Sequence, residues 1–320
     1  MRAAVLMNTL SGGADRISEI ASAIKVFLKG YEVVSVDDYG GNVLQPDIML
    51  QAIEGGFIPR LNAAVDAVSA YEPELYVLAG GDGIAAYVAD RLLAKDPTCK
   101  PKFVGVAMGT ANVGPIISFT AEELSGLTPE DLHFESCGAV EARSCGKPAA
   151  YGFNDIVLGN TLLATVDGKT CTVSAADMCR DGSKTPVDPH EHLGENLTVI
   201  KNGKELPAVR HAVSQIIVSA AERERLYGRA VTGVLCLTDG NEEKGAMTLT
   251  ERPLVILDYD RRGYEEFAFE SHILFSQKDE MEVRGLDDDV LIIADGNPIA
   301  LAEGRAEMRY VPDIICIGKK

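Results

Sequence analysis

Apolar positions in the first part of the chain fall into two patterns, short continuous runs and runs with helical spacing. The continuous runs at residues 3–7, 31–36, 75–79 and 102–107 predict buried strands. Runs that begin near residues 15, 59 and 84 carry apolar residues three and four positions apart, which predicts helices. We also expect a short helix within residues 47–54. Strands that alternate with helices predict a parallel sheet covered on both faces.

Beyond residue 135 helical spacing becomes scarce. Short apolar runs are separated there by Gly, Asp, Asn and Pro, which predicts an all-β domain, either a sandwich or a strongly curved sheet. These runs lie at residues 156–158, 170–173, 197–200, 216–218, 231–237, 254–257, 290–294 and 313–317. We therefore predict an α/β domain over residues 1–135 and a β-rich domain over residues 136–320. The last strand of the β-rich domain is able to return to the first domain.

Gly80-Gly81-Asp82-Gly83 joins the predicted strand at residues 75–79 to the helix that follows it. Glycines allow the backbone to approach a ligand closely, and a helix start offers free N–H groups to an anion. A carboxylate beside a phosphate is repulsive unless a cation separates them or the carboxylate takes up a proton. This combination suggests phosphoryl transfer, with Asp82 as a base or part of a metal site. The alternative is an ordinary turn in which Asp82 supports the helix N-terminus.

Two further loops follow predicted strands, at residues 8–13 and 108–115. The carboxyl ends of parallel strands share one edge of a sheet, where ligands bind in such folds. We therefore expect the three loops to form one phosphate-binding edge, and the alternative for each loop alone is an ordinary capped turn. The side chains and backbone groups that the two further loops contribute belong to Asn8, Ser11, Gly12, Gly109, Thr110 and Asn112.

The net charge of −18, from 48 acidic and 30 basic residues, argues against binding to nucleic acid or an anionic membrane surface. It also repels phosphate, so backbone N–H groups, local basic residues and Mg²⁺ are expected to compensate. The seven cysteines include no Cys-x-x-Cys pair. We expect them to be reduced thiols in a cytoplasmic protein.

These motifs resemble those of the NAD kinase and diacylglycerol kinase-like superfamily. The resemblance rests on Gly80-Gly81-Asp82-Gly83, the loop at residues 8–13, the Gly109-Thr110-Ala111-Asn112 segment and the order of the two domains. The segment at residues 109–115 looks most like the ATP-NAD kinase branch that includes the acetoin-catabolism X proteins. The resemblance implies an NAD kinase-like α/β domain with a parallel sheet, followed by an all-β domain.

The resemblance also implies roles for individual residues. Asp82 corresponds to the aspartate at the phosphoryl-transfer centre, and the residues of the three loops, Gly80, Gly81 and Gly83 among them, would bind phosphate. Asn154-Asp155 resembles the family's Asn-Glu pair that holds the nucleotide substrate, and Asp295-Gly296 resembles a late Asp-Gly that returns a carboxylate to the site. Asp82, Asn154, Asp155 and Asp295 are thus expected to converge on one site that uses ATP, with Mg²⁺ at Asp82 or Asp295.

The chain departs from the family pattern at three points. Ile84 stands where the family usually has Thr, the second pair is Asn-Asp, and no Thr-Pro-Thr-Gly-Ser-Thr segment occurs in the β half. The leading hypothesis is an ATP-dependent kinase of a small soluble hydroxyl substrate, NAD or a related nucleotide. The alternatives are a lipid kinase of the diacylglycerol type and a nucleotide-binding regulator without catalysis. We also expect a homo-oligomer, at least a dimer, because pairing would cover strand edges.

Overall fold

The chain divides into two compact units, which are described separately. The structure is a computed structural model and describes residues 1–9, 16–108, 114–144, 150–166, 169–220, 242–254 and 269–320. The first unit comprises Met1–Gly138 with Pro312–Lys320, and the second comprises Ala139–Val311. No helix in the described ranges is both long and apolar enough to cross a membrane.

The first unit alternates strands and helices from its first residues. Its described elements are β1 (Arg2–Met7), α1 (Ile17–Phe27), β2 (Glu32–Val36), α2 (Gly41–Leu44), β3 (Ile48–Leu50), α3 (Phe57–Ser69), β4 (Leu75–Gly80), α4 (Asp82–Lys95), β5 (Lys102–Ala107), β6 (Ile117–Phe119) and α5 (Ala121–Ser125). Strand β7 (His133–Arg143) begins in this unit and ends in the second.

The sheet of the first unit is parallel, with the order β3-β2-β1-β4-β5. Every residue of β4 is buried, as the continuous apolar run predicts. Leu75, Val77 and Ala79 point into the core shared with α1 and α5. Because side chains alternate along a strand, Tyr76 and Leu78 point to the opposite face. The predicted two-sided α/β sheet is confirmed.

The expected short helix within residues 47–54 is wrong. Ile48–Leu50 forms the edge strand β3, where Val34 of β2 pairs with Ile48, and the short helix α2 lies just before it. A run of three apolar residues has no readable period, so the open edge of β2 decides its structure.

The second unit consists almost entirely of strands. They are the end of β7, then β8 (Ala150–Gly152), β9 (Ile156–Gly159), β10 (Thr161–Val166), β11 (Lys169–Ser174), β12 (Thr198–Lys201), β13 (Lys204–Leu206), β14 (Gln215–Ala220), β15 (Glu243–Thr250), β16 (Glu270–Ser276), β17 (Met281–Arg284), β18 (Leu291–Ala294), β19 (Asn297–Leu301) and β20 (Arg305–Lys319). The one helix in its described part is α6 (Ala175–Asp181). The end of β20 belongs to the first unit, where Cys316 pairs with Lys102 of β5.

Two antiparallel sheets of the second unit share a core, which confirms the predicted all-β half. One sheet has the order β16-β15-β14-β9-β18-β19, and the other joins β13, β12, β17 and β20. Ile216 and Met247 of the first sheet belong to the same buried cluster as Val199 and Val283 of the second. The predicted strand at residues 231–237 lies outside the described residues. So does most of the predicted strand at residues 254–257, and Leu254 itself is not in a strand.

Candidate functional site

Three strand ends lie side by side at one edge of the first unit's sheet. The Asn8 N–H, directly after β1, donates to the Ala79 carbonyl at 2.8 Å, and the Met108 N–H, directly after β5, donates to the Gly80 carbonyl at 3.0 Å. This is the carboxyl edge of a parallel sheet, where ligands bind in α/β folds. We call the residues at this edge, Asn8, Gly80–Gly83 and Gly114, the glycine-turn cluster.

Gly80 is required by the packing of α4 against the strand end. A Cβ at this position would lie 2.6 Å from Ile84 Cγ2 and 3.3 Å from Asn8 Cβ. Ile84 is 4% exposed, so its side chain fills the space above the glycine. Residue 84, which is usually Thr in the family that this chain resembles, is therefore part of the hydrophobic core here.

Asp82 is the first residue of α4 and is half-buried. Its Oδ2 accepts the N–H of Gly114 at 2.8 Å. A Cβ at residue 114 would lie 2.8 Å from Asp82 Oδ1, so only glycine allows this close approach. The N-terminus of α4 favours negative charge at this position. The helix start and the backbone of the third loop thus hold the carboxylate in place.

Asp295 and Gly296 form the two-residue turn between β18 and β19. Both have positive φ angles, 48° and 76°, which is the backbone of the type I′ hairpin that Asp-Gly favours. The Asp295 carboxylate accepts three backbone N–H groups, from Phe153 at 2.8 Å, Asn154 at 2.7 Å and Asp155 at 2.9 Å. We call Phe153, Asn154, Asp155 and Asp295 the hairpin cluster.

Although part of the Asp295 residue reaches solvent, its carboxylate is enclosed by the turn that it binds. Burial raises the pKa of Asp295 to about 7, and the negative charge of Asp155 acts in the same direction. The three N–H groups oppose this shift, because they stabilise the ionised form. Burial outweighs them, so this carboxyl group titrates near neutral pH.

Asn154 presents a buried acceptor. The residue is 8% exposed, and its Nδ2 donates to Asp155 Oδ2 at 2.9 Å. Its Oδ1 is buried without a hydrogen-bond partner among the residues that the structure describes. A buried polar atom in this state gains from a ligand that donates a hydrogen bond to it. The hairpin cluster therefore contains a buried acceptor that no described residue satisfies.

The predicted site residues fall into three groups. Asn8, Gly80, Gly81, Asp82 and Gly83 lie in the first unit, and Asn154, Asp155 and Asp295 come together in the second. Their convergence on one site remains a prediction. The other phosphate-binding candidates, Ser11, Gly12, Gly109, Thr110 and Asn112, lie outside the described residues.

Sequence reasoning did not assign two of the residues that bind these carboxylates through their main chains, Gly114 and Phe153. The Gly-Pro dipeptide at residues 114–115 indicates a turn. It was the one feature of the sequence that pointed to a close approach of the Gly114 backbone to another residue. Within the described ranges, no group of three or more His, Cys, Asp or Glu side chains is placed to hold a metal ion.

Comparisons with known proteins support the architecture. No family model matches the chain. An uncharacterized protein of Archaeoglobus fulgidus is 28% identical over 263 residues, which cover 80% of this chain and 77% of the relative. Yeast NADH kinase, solved with NADH, matches at a TM-score of 0.56 with 13% identity, covering 100% of this chain and 83% of its own.

A diacylglycerol kinase from Bacillus anthracis matches at a TM-score of 0.52 with 8% identity, covering 99% of this chain and 96% of its own. Both solved structures align over nearly the whole chain, so the likeness includes the α/β unit and the β-rich unit. Identities this low establish the fold alone. The resemblance seen in the motifs is confirmed at that level: the chain has the fold shared by NAD kinases and diacylglycerol kinase-like proteins.

Proposed function

We propose that the protein is an ATP-dependent kinase that phosphorylates a hydroxyl group of a small molecule, NAD or a related nucleotide. The observation that carries the proposal is the Asp82 carboxylate, held at the start of α4 on the carboxyl edge of the parallel sheet. Yeast NADH kinase, which has the same fold, supports a nucleotide acceptor. A cytoplasmic location and a homo-oligomeric state belong to the same proposal.

In the proposed reaction the acceptor hydroxyl oxygen attacks the γ-phosphorus of ATP, and the bond from that phosphorus to the ADP oxygen breaks. Asp82 takes the hydroxyl proton. The N–H groups of Gly81 and Gly83, at the start of α4, would bind phosphate oxygens, since a helix N-terminus favours anions. Thr110 and Asn112 would contribute from the third loop.

The hairpin cluster would hold the nucleotide acceptor. Asn154 Oδ1 would accept a hydrogen bond from the substrate, because it is buried without a partner in the described part of the chain. Asp295 would act as a positioning residue, since its two oxygens already accept the N–H groups of the turn that carries Asn154 and Asp155. This occupation makes Asp295 a poor metal ligand.

Mg²⁺ fits the proposal at Asp82. Protein Mg²⁺ sites in kinases combine one or two carboxylates with substrate phosphates and water, so a large protein cluster is not needed. Asp82 is the carboxylate of the glycine-turn cluster, and together with ATP phosphates it would complete such a site. When bound, the ion neutralises phosphate charge, which the net charge of −18 otherwise repels.

The test is phosphoryl transfer from radiolabelled ATP with Mg²⁺ to NAD or NADH. Asp82→Asn should lower the turnover rate by about 100-fold or more, the contribution typical of a general base. Asp288→Asn is the matched control, because it removes one carboxylate from an exposed position in the second unit. Equal turnover by Asp82→Asn and the wild type would refute the role of Asp82.

A second function, a nucleotide-binding regulator without catalysis, is favoured by Ile84. This residue closes over Gly80 and supplies no hydroxyl to the turn. Tight ATP binding without transfer to NAD, NADH or diacylglycerol vesicles would select the regulator. Transfer to the vesicles alone would select the lipid kinase.

A further inference from the structure

A cavity lies at the opposite end of β4 from the glycine turn. It has a volume of about 330 Å³, and its walls include Tyr76, Leu92, Lys95, Cys99 and Lys100. These residues belong to the start of β4, the end of α4 and the loop that leads to β5. Along α4, Leu92 and Lys95 of the cavity wall lie about 15–20 Å from Asp82. The cavity is therefore distinct from the glycine-turn cluster.

The Tyr76 hydroxyl is a polar group of the cavity that can donate a hydrogen bond to a ligand. The residue is 6% exposed, and its ring packs on Phe103 with the ring centroids 5.7 Å apart. Tyr76 lines the cavity, and its hydroxyl makes no hydrogen bond to any residue in the described ranges. Burial raises the pKa of Tyr76 to about 12, so the hydroxyl remains a donor. A hydroxyl in this setting gains from an acceptor.

Lys95, Asp96 and Lys100 are the charged residues among those that line the cavity. Lys95 pairs with Asp66 at 3.3 Å. The acidic residue, Asp96, is bound by the N–H and hydroxyl of Thr98. Lys100 is exposed and has no ion-pair partner among the described residues. The cavity thus combines local positive charge with a hydroxyl donor.

The apolar part of the wall includes Pro73, Leu92 and Pro101 together with Tyr76. A volume near 330 Å³ is at the lower end of the range for small-molecule sites. We propose that this cavity binds a small amphiphilic anion, an apolar ring or chain that carries a carboxylate or phosphate group. The apolar part packs on Tyr76 and Leu92, and the anionic group accepts from the Tyr76 hydroxyl and pairs with Lys100.

The test uses naphthalene-2-carboxylate as the probe and isothermal calorimetry as the measurement. We expect saturable binding with a dissociation constant of about 1 mM or lower, typical of a ligand of this size. The neutral naphthalene-2-carboxamide should bind at least about 3-fold more weakly, because it cannot pair with Lys100. Amide resonances of residues 92–100 should shift on binding.

Two substitutions locate the site. Tyr76→Phe keeps the ring and should weaken binding about 2- to 10-fold, the contribution of one hydrogen bond. It should leave folding intact, since the hydroxyl makes no hydrogen bond in the described part of the fold. Lys100→Gln should weaken binding about 2- to 5-fold. Tyr39→Phe, at an equally buried tyrosine, and Lys204→Gln, at an exposed lysine of the second unit, are the matched controls.

Three results would overturn the proposal. They are absence of saturable binding up to about 10 mM, binding that Tyr76→Phe does not weaken, and equal binding of the carboxylate and the carboxamide. None of these results bears on phosphoryl transfer, because the proposed kinase site lies at the other end of α4.

Discussion

Replacing Asp295 with Asn gives a test of the hairpin cluster whose sign depends on pH. The pKa of Asp295 is raised to about 7 in the folded protein by burial, whereas an unfolded Asp titrates near about 3.9. Between these two values the folded state keeps a proton that the unfolded state releases. The free energy of unfolding contributed by Asp295 is therefore greatest below about pH 4 and is lost as the pH rises through about 7.

The size of the effect follows from the shift. About three pKa units correspond to about 4 kcal/mol in total, of which about 2 kcal/mol falls between about pH 5.5 and 8.5. This interval avoids precipitation near the sequence pI of 4.7. Asn cannot ionise, so its free energy of unfolding lacks this decline. Its NH₂ group faces one of the three N–H donors, which costs about 1–3 kcal/mol at every pH.

The quantity to measure is the free energy of unfolding of Asp295→Asn minus that of the wild type. It should be negative near pH 5.5 and should rise by about 2 kcal/mol by pH 8.5. Because Asn-Gly also favours the type I′ turn, the hairpin itself is preserved. Urea unfolding followed by far-UV circular dichroism gives both values.

Asp288→Asn, which removes an exposed carboxylate from the same unit, is the control and should change stability by less than about 0.5 kcal/mol. A difference for Asp295→Asn that stays constant, or that falls as the pH rises, would refute the reasoning. It would show that the three N–H groups outweigh burial.

Three further substitutions test contacts and backbone geometry within each unit. Glu141→Ala should lower the free energy of unfolding by about 1–3 kcal/mol, because it removes a buried carboxylate that accepts hydrogen bonds from the half-exposed Arg143 and Arg309, and urea unfolding checks this value. Gly80→Ala should cost about 1–3 kcal/mol through its clash with Ile84, and a double-mutant cycle with Ile84→Ala should give a coupling of at least about 0.5 kcal/mol. Gly296→Ala should lower the free energy of unfolding by about 1–2 kcal/mol, because alanine is strained at a φ of 76°. Thermal unfolding of the variant and the wild type measures this difference.

The sequence by itself was sufficient for the elements that a continuous apolar run or a helical spacing of apolar residues marks. Residues 75–79 and the glycine turn that follows predicted β4 and the start of α4, and residues 102–107 predicted β5 with its observed bounds. The change from helical spacing to short apolar runs predicted an α/β half and an all-β half. These properties are readable because periodicity and chain order decide them locally.

Tertiary structure decided what depends on contacts between distant positions. Ile48–Leu50 became a strand because the edge of β2 was open, and Ile84 became core because Gly80 leaves room for it. The partners of the two key carboxylates are backbone N–H groups, 32 residues from Asp82 and 140 to 142 residues from Asp295. Every residue except proline carries such a donor, so no residue type reveals it in a sequence. Only the folded chain determines which N–H group meets which carboxylate.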